Sequence, residues 1–319
     1  MNAPRKLIAI VTAYNRADFV PHCVSSILNA EGDDLEVRVI VVDNGSTDGT
    51  AEAARTVSDR VRVLRTEDNR PVAEAINSGF AAARAEGGAE YIVYMNEDTM
   101  YTPGSLRRMI EACDENPDSL LTPLQLNYRA PDHLDDNMRE HVAESRELVE
   151  DSLLGLPLKL VYPLPTIIGA AILAKRAIWE RVGEFDTLFW FYGIDDDLCT
   201  RAAFLGCHLL LVPSAHMLHA HGKLGARNDA IDKAGIFRKW RLELQSRYLF
   251  LLKNPARLYP LAILDAGWLG VTTCAGCLAS RWPKGALHAW VILGACLAQA
   301  GRIARTRRRH FDPARRIGV

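Results

Sequence analysis

The sequence predicts an α/β fold on a mostly parallel sheet, and three observations carry that prediction. Strand-like apolar runs alternate with helix-like segments from Leu7 to Met95. The runs are continuously apolar, as in strands buried on both faces. Polar residues gather at their C-terminal ends. Such alternation gives a parallel sheet flanked by helices, and right-handed crossovers bring the strand ends to one edge. Open sheets bind ligands in the crevice at that edge.

The elements follow in order. Leu7–Thr12 reads as the first strand, and Ala17–Asn29 as a helix carrying Phe19, Val20, Val24, Ile27 and Leu28 at helical spacing. Val37–Val42 is a β-branched strand, followed after Gly45-Ser46-Thr47 by an alanine-rich helix over Asp48–Val57. Val61–Leu64 is a short strand and Val72–Arg84 a helix. Tyr91–Met95 is a strand that runs directly into Asn96-Glu97-Asp98, with turn residues at Thr102-Pro103-Gly104.

The chain has 319 residues, 49% hydrophobic and 24% charged, enough to bury a full core. Its net charge of −1 hides an asymmetry, because seven arginines face a single Asp312 between Gly301 and Val319. Seven scattered cysteines suit reduced thiols in a cytosolic setting. The Cys274/Cys277 pair lies in apolar surroundings and reads as buried small residues. Arg5 and Lys6 precede an apolar run too short for a signal-peptide core.

Three strand ends carry chemistry. Thr12-Ala13-Tyr14-Asn15-Arg16 puts polar groups and an aromatic ring directly after the first strand. The Val37–Val42 strand ends on Asp43, where a carboxylate can accept hydrogen bonds from a ribose hydroxyl or a base N–H. Glu97 and Asp98 together suit a hard divalent cation. Turn chemistry alone would also account for Asp43-Asn44-Gly45 and for Asn96-Glu97-Asp98. Neither a dinucleotide-binding glycine fingerprint nor a P-loop is present.

Val11–Arg16, Val41–Thr50 and the strand into Asn96-Glu97-Asp98-Thr99 together resemble the family 2 glycosyltransferases of GT-A fold. The nearest subgroup is rhamnosyltransferase-like. The similarity continues through Gly169–Leu173, Val182–Asp186, Phe189–Cys199 and Pro213–His219, and covers about residues 6 to 255. By this resemblance residues 1–255 form the catalytic domain, with a nucleotide-sugar half (1–125) and an acceptor half (126–255). The resemblance implies that Thr12, Ala13, Tyr14, Arg16, Asp43, Asn69, Asn77, Asn96 and Glu97 lie at the donor. It implies Asp98 and His219 as ligands of a divalent metal, Mn²⁺ or Mg²⁺, with His216 and His221 flanking the latter. Asp195 would be the catalytic base, with Asp196 and Asp197 the neighbouring choices. Trp190 and Tyr192 would wall the acceptor.

The chain departs from the family pattern at Asn96, where an acid is usual, at Ile194, where the usual residue is Glu, and at Pro71-Val72-Ala73, where a flexible glycine segment is common. A helix N-terminus alone would also favour acids at 195–197.

Arg129–Leu156 is acidic, and the spacing from His133 to Val149 predicts a solvated helix in an exposed insertion. Beyond Lys253-Asn254-Pro255 the character changes. Leu258–Ala279 and Gly285–Gln299 are mostly apolar, the first interrupted by Asp265 and the second too short to span a bilayer. Residues 256–319 are therefore expected to form a helical hairpin that dips into or lies along the membrane, with Trp268, Trp282 and Trp290 at the interface. Arg302, Arg305, Arg307, Arg308 and Arg309 would favour anionic lipids. A helical cap packed on the catalytic domain is the competing arrangement, and a homo-oligomer is allowed.

The function expected is inverting transfer of a sugar from a nucleoside-diphosphate donor to a lipid-linked or glycan acceptor. It would serve bacterial cell-envelope polysaccharide synthesis, at the cytoplasmic face of the plasma membrane. The subgroup suggests rhamnose on a thymidine diphosphate carrier, with a uridine carrier the alternative. A sugar-nucleotide pyrophosphorylase would need a glycine-rich basic loop where Thr12–Arg16 stands. A nucleotide-sugar-binding scaffold could dispense with the acids and His219. No aromatic-lined groove accompanies the arginine tail, so nucleic acid is not an expected partner.

Overall fold

The computed structural model describes residues 4–30, 32–220, 233–256 and 258–317. The amino-terminal half alternates as expected: β1 (Arg5–Ala13), α1 (Val20–Leu28), β2 (Leu35–Asp43), α2 (Thr50–Arg55), β3 (Val61–Arg65), α3 (Val72–Glu86) and β4 (Tyr91–Asn96). Leu7 through Val11 and Tyr91 through Met95 are buried, which is why both runs lack polar alternation.

The next segment contains β5 (Thr99–Tyr101), α4 (Ser105–Glu115), β6 (Ser119–Asn127), β7 (Ala130–Leu134), α5 (Asp136–Glu144) and α6 (Arg146–Leu153). β8 (Tyr162–Pro163), β9 (Ala171–Lys175), α7 (Arg176–Val182), α8 (Ile194–Phe204) and β10 (His208–His219) complete the sheet region. The strand order is β3-β2-β1-β4-β9-β6-β10-β5, with β7 on β6 and β8 on β10. β3, β2, β1 and β4 run parallel, whereas β9 is antiparallel to β4 and β5 is antiparallel to β10. The sheet is therefore mixed and mostly parallel on the side that carries Asp43 and Asn96.

The single helix expected over His133–Val149 is instead a strand and two short helices. Asp135 caps α5 by accepting from the Asn137 and Met138 N–H groups, so the helix starts after it. Ser145, at φ −83° and ψ 87°, breaks α5 from α6. The segment is anchored by Met138 and Leu148, both buried, rather than wholly solvated.

The carboxy-terminal region is helical: α9 (Lys233–Lys253), α10 (Tyr259–Ala279), α11 (Pro283–Leu297) and α12 (Ala300–His310), with a closing turn at Pro313–Arg315. It packs on the sheet domain through a buried ionic cluster. Lys253 Nζ lies 2.5 Å from Asp186 Oδ2 and donates also to Asp197, while Arg201 Nε donates to Asp197 Oδ2 at 2.9 Å. The tail is tied further by Ile317 N–H to the Leu205 carbonyl (2.8 Å) and by Arg302 to Thr187 Oγ1 (2.8 Å). At the same time α10 and α11 leave a row of large apolar side chains exposed: Leu261, Leu264, Trp268, Val271, Leu287, Trp290 and Val291. The cap arrangement and an outward apolar face thus coexist. α10 is, among the described residues, the one unbroken helix long and apolar enough to cross a membrane.

Candidate active site

The sheet diverges at β1. β2 and β3 lie on one side of it and β4 on the other, which opens a crevice beyond their C-terminal ends. Register levels the polar residues there, because Thr12 pairs with both Val42 and Asn96, and Ala13 with Asp43. The crevice holds a cavity of about 450 Å³. Thr12, Ala13, Tyr14, Asn69, Asn96, Glu97 and Asp98 line it, and Trp190 and Tyr192 cover one side. Trp190, expected at the acceptor, thus stands over the same cavity as the donor residues.

Two loops are stitched together to form the floor. Asn15 adopts φ 53°, its N–H donates to Ser46 Oγ (2.9 Å), and its Oδ1 accepts from Thr47 N–H (2.9 Å). Arg16 N–H donates to Thr50 Oγ1 at 2.8 Å. Gly45 turns at φ +78°, and a Cβ there would lie 2.5 Å from the Asp68 backbone, so only glycine fits. Asp43 lies beneath the lining, fully buried. Its Oδ1 accepts from Ser46 N–H (2.9 Å), while Oδ2 has no hydrogen-bond donor and faces Arg65 Nε at 3.5 Å. Asn44 reaches the cavity itself, donating to Asn69 Oδ1 (3.0 Å) and accepting from Arg70 N–H (3.1 Å).

Asp98 and His219, 121 positions apart, meet at the far end of the crevice. The β5/β10 pairing places His219 opposite Thr99, and Nε2 lies 3.5 Å from Asp98 Oδ1. The other ring nitrogen stands 3.6 Å from Asp135 Oδ2, a carboxylate with no exposed surface. Arg16 Nη1 lies 3.8 Å from Asp98 Oδ2. Desolvation, then the neighbouring Asp98 charge, pushes the Glu97 carboxyl up to about 8. A carboxylate and an imidazole 3.5 Å apart are two ligand types that a divalent cation accepts. Asn96 is neutral, and Tyr94 Oη donates to its Oδ1 at 2.9 Å.

The three consecutive acids of α8 separate by environment. Asp195 Oδ2 accepts from Gly169 N–H at 3.2 Å, and a Cβ on Gly169 would press within 3.2 Å of that side chain. The next carbonyl, of Ala170, accepts from Asn96 N–H (2.9 Å), so Asp195 is tied to the end of β4. Asp196 is exposed, and desolvation with the Asp195 charge raises its carboxyl above the usual range. Asp197 is committed to the ionic cluster with Arg201 and Lys253 and is not available as a base. Asp186, Asp197 and His310 also bring ligand atoms within 4.8 Å of one another, but the Lys253 ammonium already bonds both carboxylates. That cluster is an ion-pair network.

Asn77 is not brought to the crevice. It faces Phe185, donating to its carbonyl (2.8 Å) and accepting from its N–H (3.0 Å), so both ends of the amide are spent. His216 N–H donates to Ser105 Oγ (2.9 Å), and its ring lies 3.1 Å from the Pro213 carbonyl. His221 lies outside the described residues. Sequence reasoning missed Asn44, Arg70, Arg238 and Lys239, which line the cavity, and Asp135 behind His219. Only Asn44 carried a signal, as the neighbour of Asp43 in a turn.

Comparison with known proteins matches residues 8–182 to the family model described as "Glycosyl transferase family 2". The chain is 26% identical over 247 residues to an N-acetylglucosaminyl-diphospho-decaprenol L-rhamnosyltransferase of Mycobacterium tuberculosis, covering 69% of this chain and 78% of that protein. It is 38% identical over 106 residues to the succinoglycan biosynthesis protein ExoO of Rhizobium meliloti, covering 33% of this chain and 29% of that one. A solved mannosyltransferase from Pyrobaculum calidifontis, in complex with GDP-Man and Mn²⁺, superposes with a TM-score of 0.54 at 21% identity, over 96% of this chain and 79% of that one. The mixed sheet and its helices are thus those of the GT-A fold.

Proposed function

The chain belongs to glycosyl transferase family 2, and from that premise we propose that it is a metal-dependent inverting enzyme moving a sugar from a nucleoside diphosphate to a lipid-linked or glycan acceptor. The observation that supports this reading is that Asp98, on the crevice that Thr12, Tyr14 and Asn69 line, has His219 beside it, while Asp195 bonds Gly169 N–H next to the end of β4. The nucleoside would lie over Thr12–Tyr14, with the buried Asp43 and the amides of Asn44 and Asn69 as hydrogen-bond partners. Arg16, Arg70, Arg238 and Lys239 bring positive charge to the region where a diphosphate would sit.

A divalent cation held by Asp98 and His219 would supply positive charge to the diphosphate as it leaves. The acceptor hydroxyl forms its bond to the anomeric carbon as the bond to the diphosphate oxygen breaks. The hydroxyl proton passes to the carboxylate of Asp195, which Gly169 N–H orients. A single displacement with one base inverts the anomeric centre. Nuclear magnetic resonance of the first-formed product tests this, since a retained anomeric configuration would sink the inverting reading.

The mycobacterial relative is named for an N-acetylglucosaminyl-diphospho-decaprenol acceptor, and the outward apolar face of α10 and α11 supports a membrane-borne acceptor here. The helices would lie along the inner leaflet, with the exposed Arg305, Arg308 and Arg309 towards anionic headgroups. A deoxysugar donor such as rhamnose on a thymidine diphosphate carrier is the first to try.

A further inference from the structure

A second, larger cavity of about 810 Å³ lies between α9 and α10. It begins at Gly193 and Asp196, at the N-terminal turn of α8, and shares Tyr192 with the crevice already described. Trp240 of α9 and Trp268 of α10 line it. Its charged side chains are Asp196, Glu243, Asp265 and Arg247, and Glu243 Oε1 lies 3.7 Å from Lys239 Nζ. The neighbouring crevice is the more cationic of the two, with Arg70, Arg238 and Lys239 in its lining. Carboxylates accept hydrogen bonds from sugar hydroxyls, and indole faces pack against the C–H face of a sugar ring.

The far end of the cavity has a different chemistry. Trp268, 69% exposed, belongs both to the cavity lining and to the outward stripe formed with Leu261, Leu264 and Val271, at helical spacing along α10. A molecule filling the cavity therefore meets the carboxylates of Asp196 and Asp265 and leaves over the apolar stripe of α10. An amphiphile with a neutral sugar head and an apolar tail matches both ends.

We propose that the cleft between α9 and α10 is the acceptor site, seating a neutral saccharide against Trp268 with its apolar chain leaving over Leu264 and Val271. This rests on the glycosyltransferase reading and assigns the acceptor to a surface that neither Trp190 nor the strand ends provide.

The test uses the full chain and two photoreactive probes, an alkyl N-acetylglucosaminide and an alkyl rhamnoside, each with a diazirine in the alkyl chain. Below micelle-forming concentrations, at least one probe labels α10 between Leu264 and Thr272, and excess unlabelled probe competes the label away. Thr272→Trp, which fills the cleft from an exposed position, and Trp268→Ala, which removes the stacking face, each cut the label about tenfold. Circular dichroism verifies that both variants keep their helices. Absent label, label spread without saturation over α10 and α11, or label undiminished in Thr272→Trp overturns the proposal. Calorimetry of nucleoside diphosphates with Mn²⁺ on the wild type is read separately. A failure there counts against the donor reading, while the labelling result still decides the cleft.

Discussion

His219 Nε2 lies 3.5 Å from Asp98 Oδ1 because the antiparallel pairing of β5 with β10 sets His219 opposite Thr99. One strand register thus joins a turn acid to a histidine from the end of the sheet. The same histidine ring stands 3.6 Å from Oδ2 of Asp135, whose Oδ1 caps α5.

That arrangement predicts the metal response. Asp98→Ala and His219→Ala should each weaken Mn²⁺ binding by at least about tenfold, and Asp135→Asn by roughly 10- to 100-fold through loss of ring orientation. Titration followed by electron paramagnetic resonance of free Mn²⁺ measures this. Wild-type affinity in Asp98→Ala would remove Asp98 from the metal site.

The acids of α8 should divide by role. Asp195→Asn is expected to lower kcat by roughly 10²- to 10⁴-fold with little change in donor affinity. Asp196→Asn, at an exposed carboxylate, should cost less than about tenfold. Steady-state kinetics with calorimetric donor binding separates the two, and the reverse order would transfer the base role to Asp196.

Much of this site was legible in the sequence for a simple reason. Apolar runs ending abruptly on Asp43 and on Asn96-Glu97-Asp98 mark strand ends without any knowledge of register. What stayed hidden depends on long-range pairing. Asp135 gains meaning only when β10 delivers His219 to it, and Arg238 and Lys239 only when α9 folds back across the crevice. Asn77 misled because a polar side chain on a helix can face either way, and here the backbone of Phe185 captured it. The break at Ser145 is likewise invisible to a periodicity that runs through it.

The buried ionic cluster makes a stability prediction. Lys253→Met leaves the Asp186 and Asp197 carboxylates buried without their shared cation and should destabilise the fold by about 3–5 kcal/mol. Urea unfolding followed by circular dichroism measures the loss. A change near zero would mean that the cluster relaxes into water.

The pH dependence follows from His310. Burial, with the Arg201 and Lys253 cations nearby, depresses its imidazole from the usual 6.5 to about 3, despite the opposing Asp186 and Asp197 charges. The unfolded chain therefore takes up a proton below pH 6.5 that the folded chain does not. Stability is fully present above that pH and is lost as pH falls towards 3, at roughly 1 kcal/mol per pH unit. Asp197 acts in the same direction at lower pH. Its burial alone would raise the carboxyl, but Arg201 and Lys253 override this and hold it low. His310→Gln should flatten the slope between pH 6.5 and 4, as read by thermal unfolding across that range.

The outward apolar face predicts membrane binding that single charges can abolish. Leu264→Asp with Trp290→Glu, both at exposed positions, should release the protein from anionic vesicles in a sedimentation assay without loss of helix content. Undiminished sedimentation would assign membrane binding to another surface.

The most direct test of the central claim is nucleoside diphosphate release from a panel of nucleotide sugars, with and without Mn²⁺, for wild type and Asp98→Ala. Release from one donor, requiring Mn²⁺ and lost in Asp98→Ala by about 10²-fold or more, is the result this account predicts. Metal-independent release that survives in Asp98→Ala, or no binding of any nucleotide sugar by calorimetry, would contradict it.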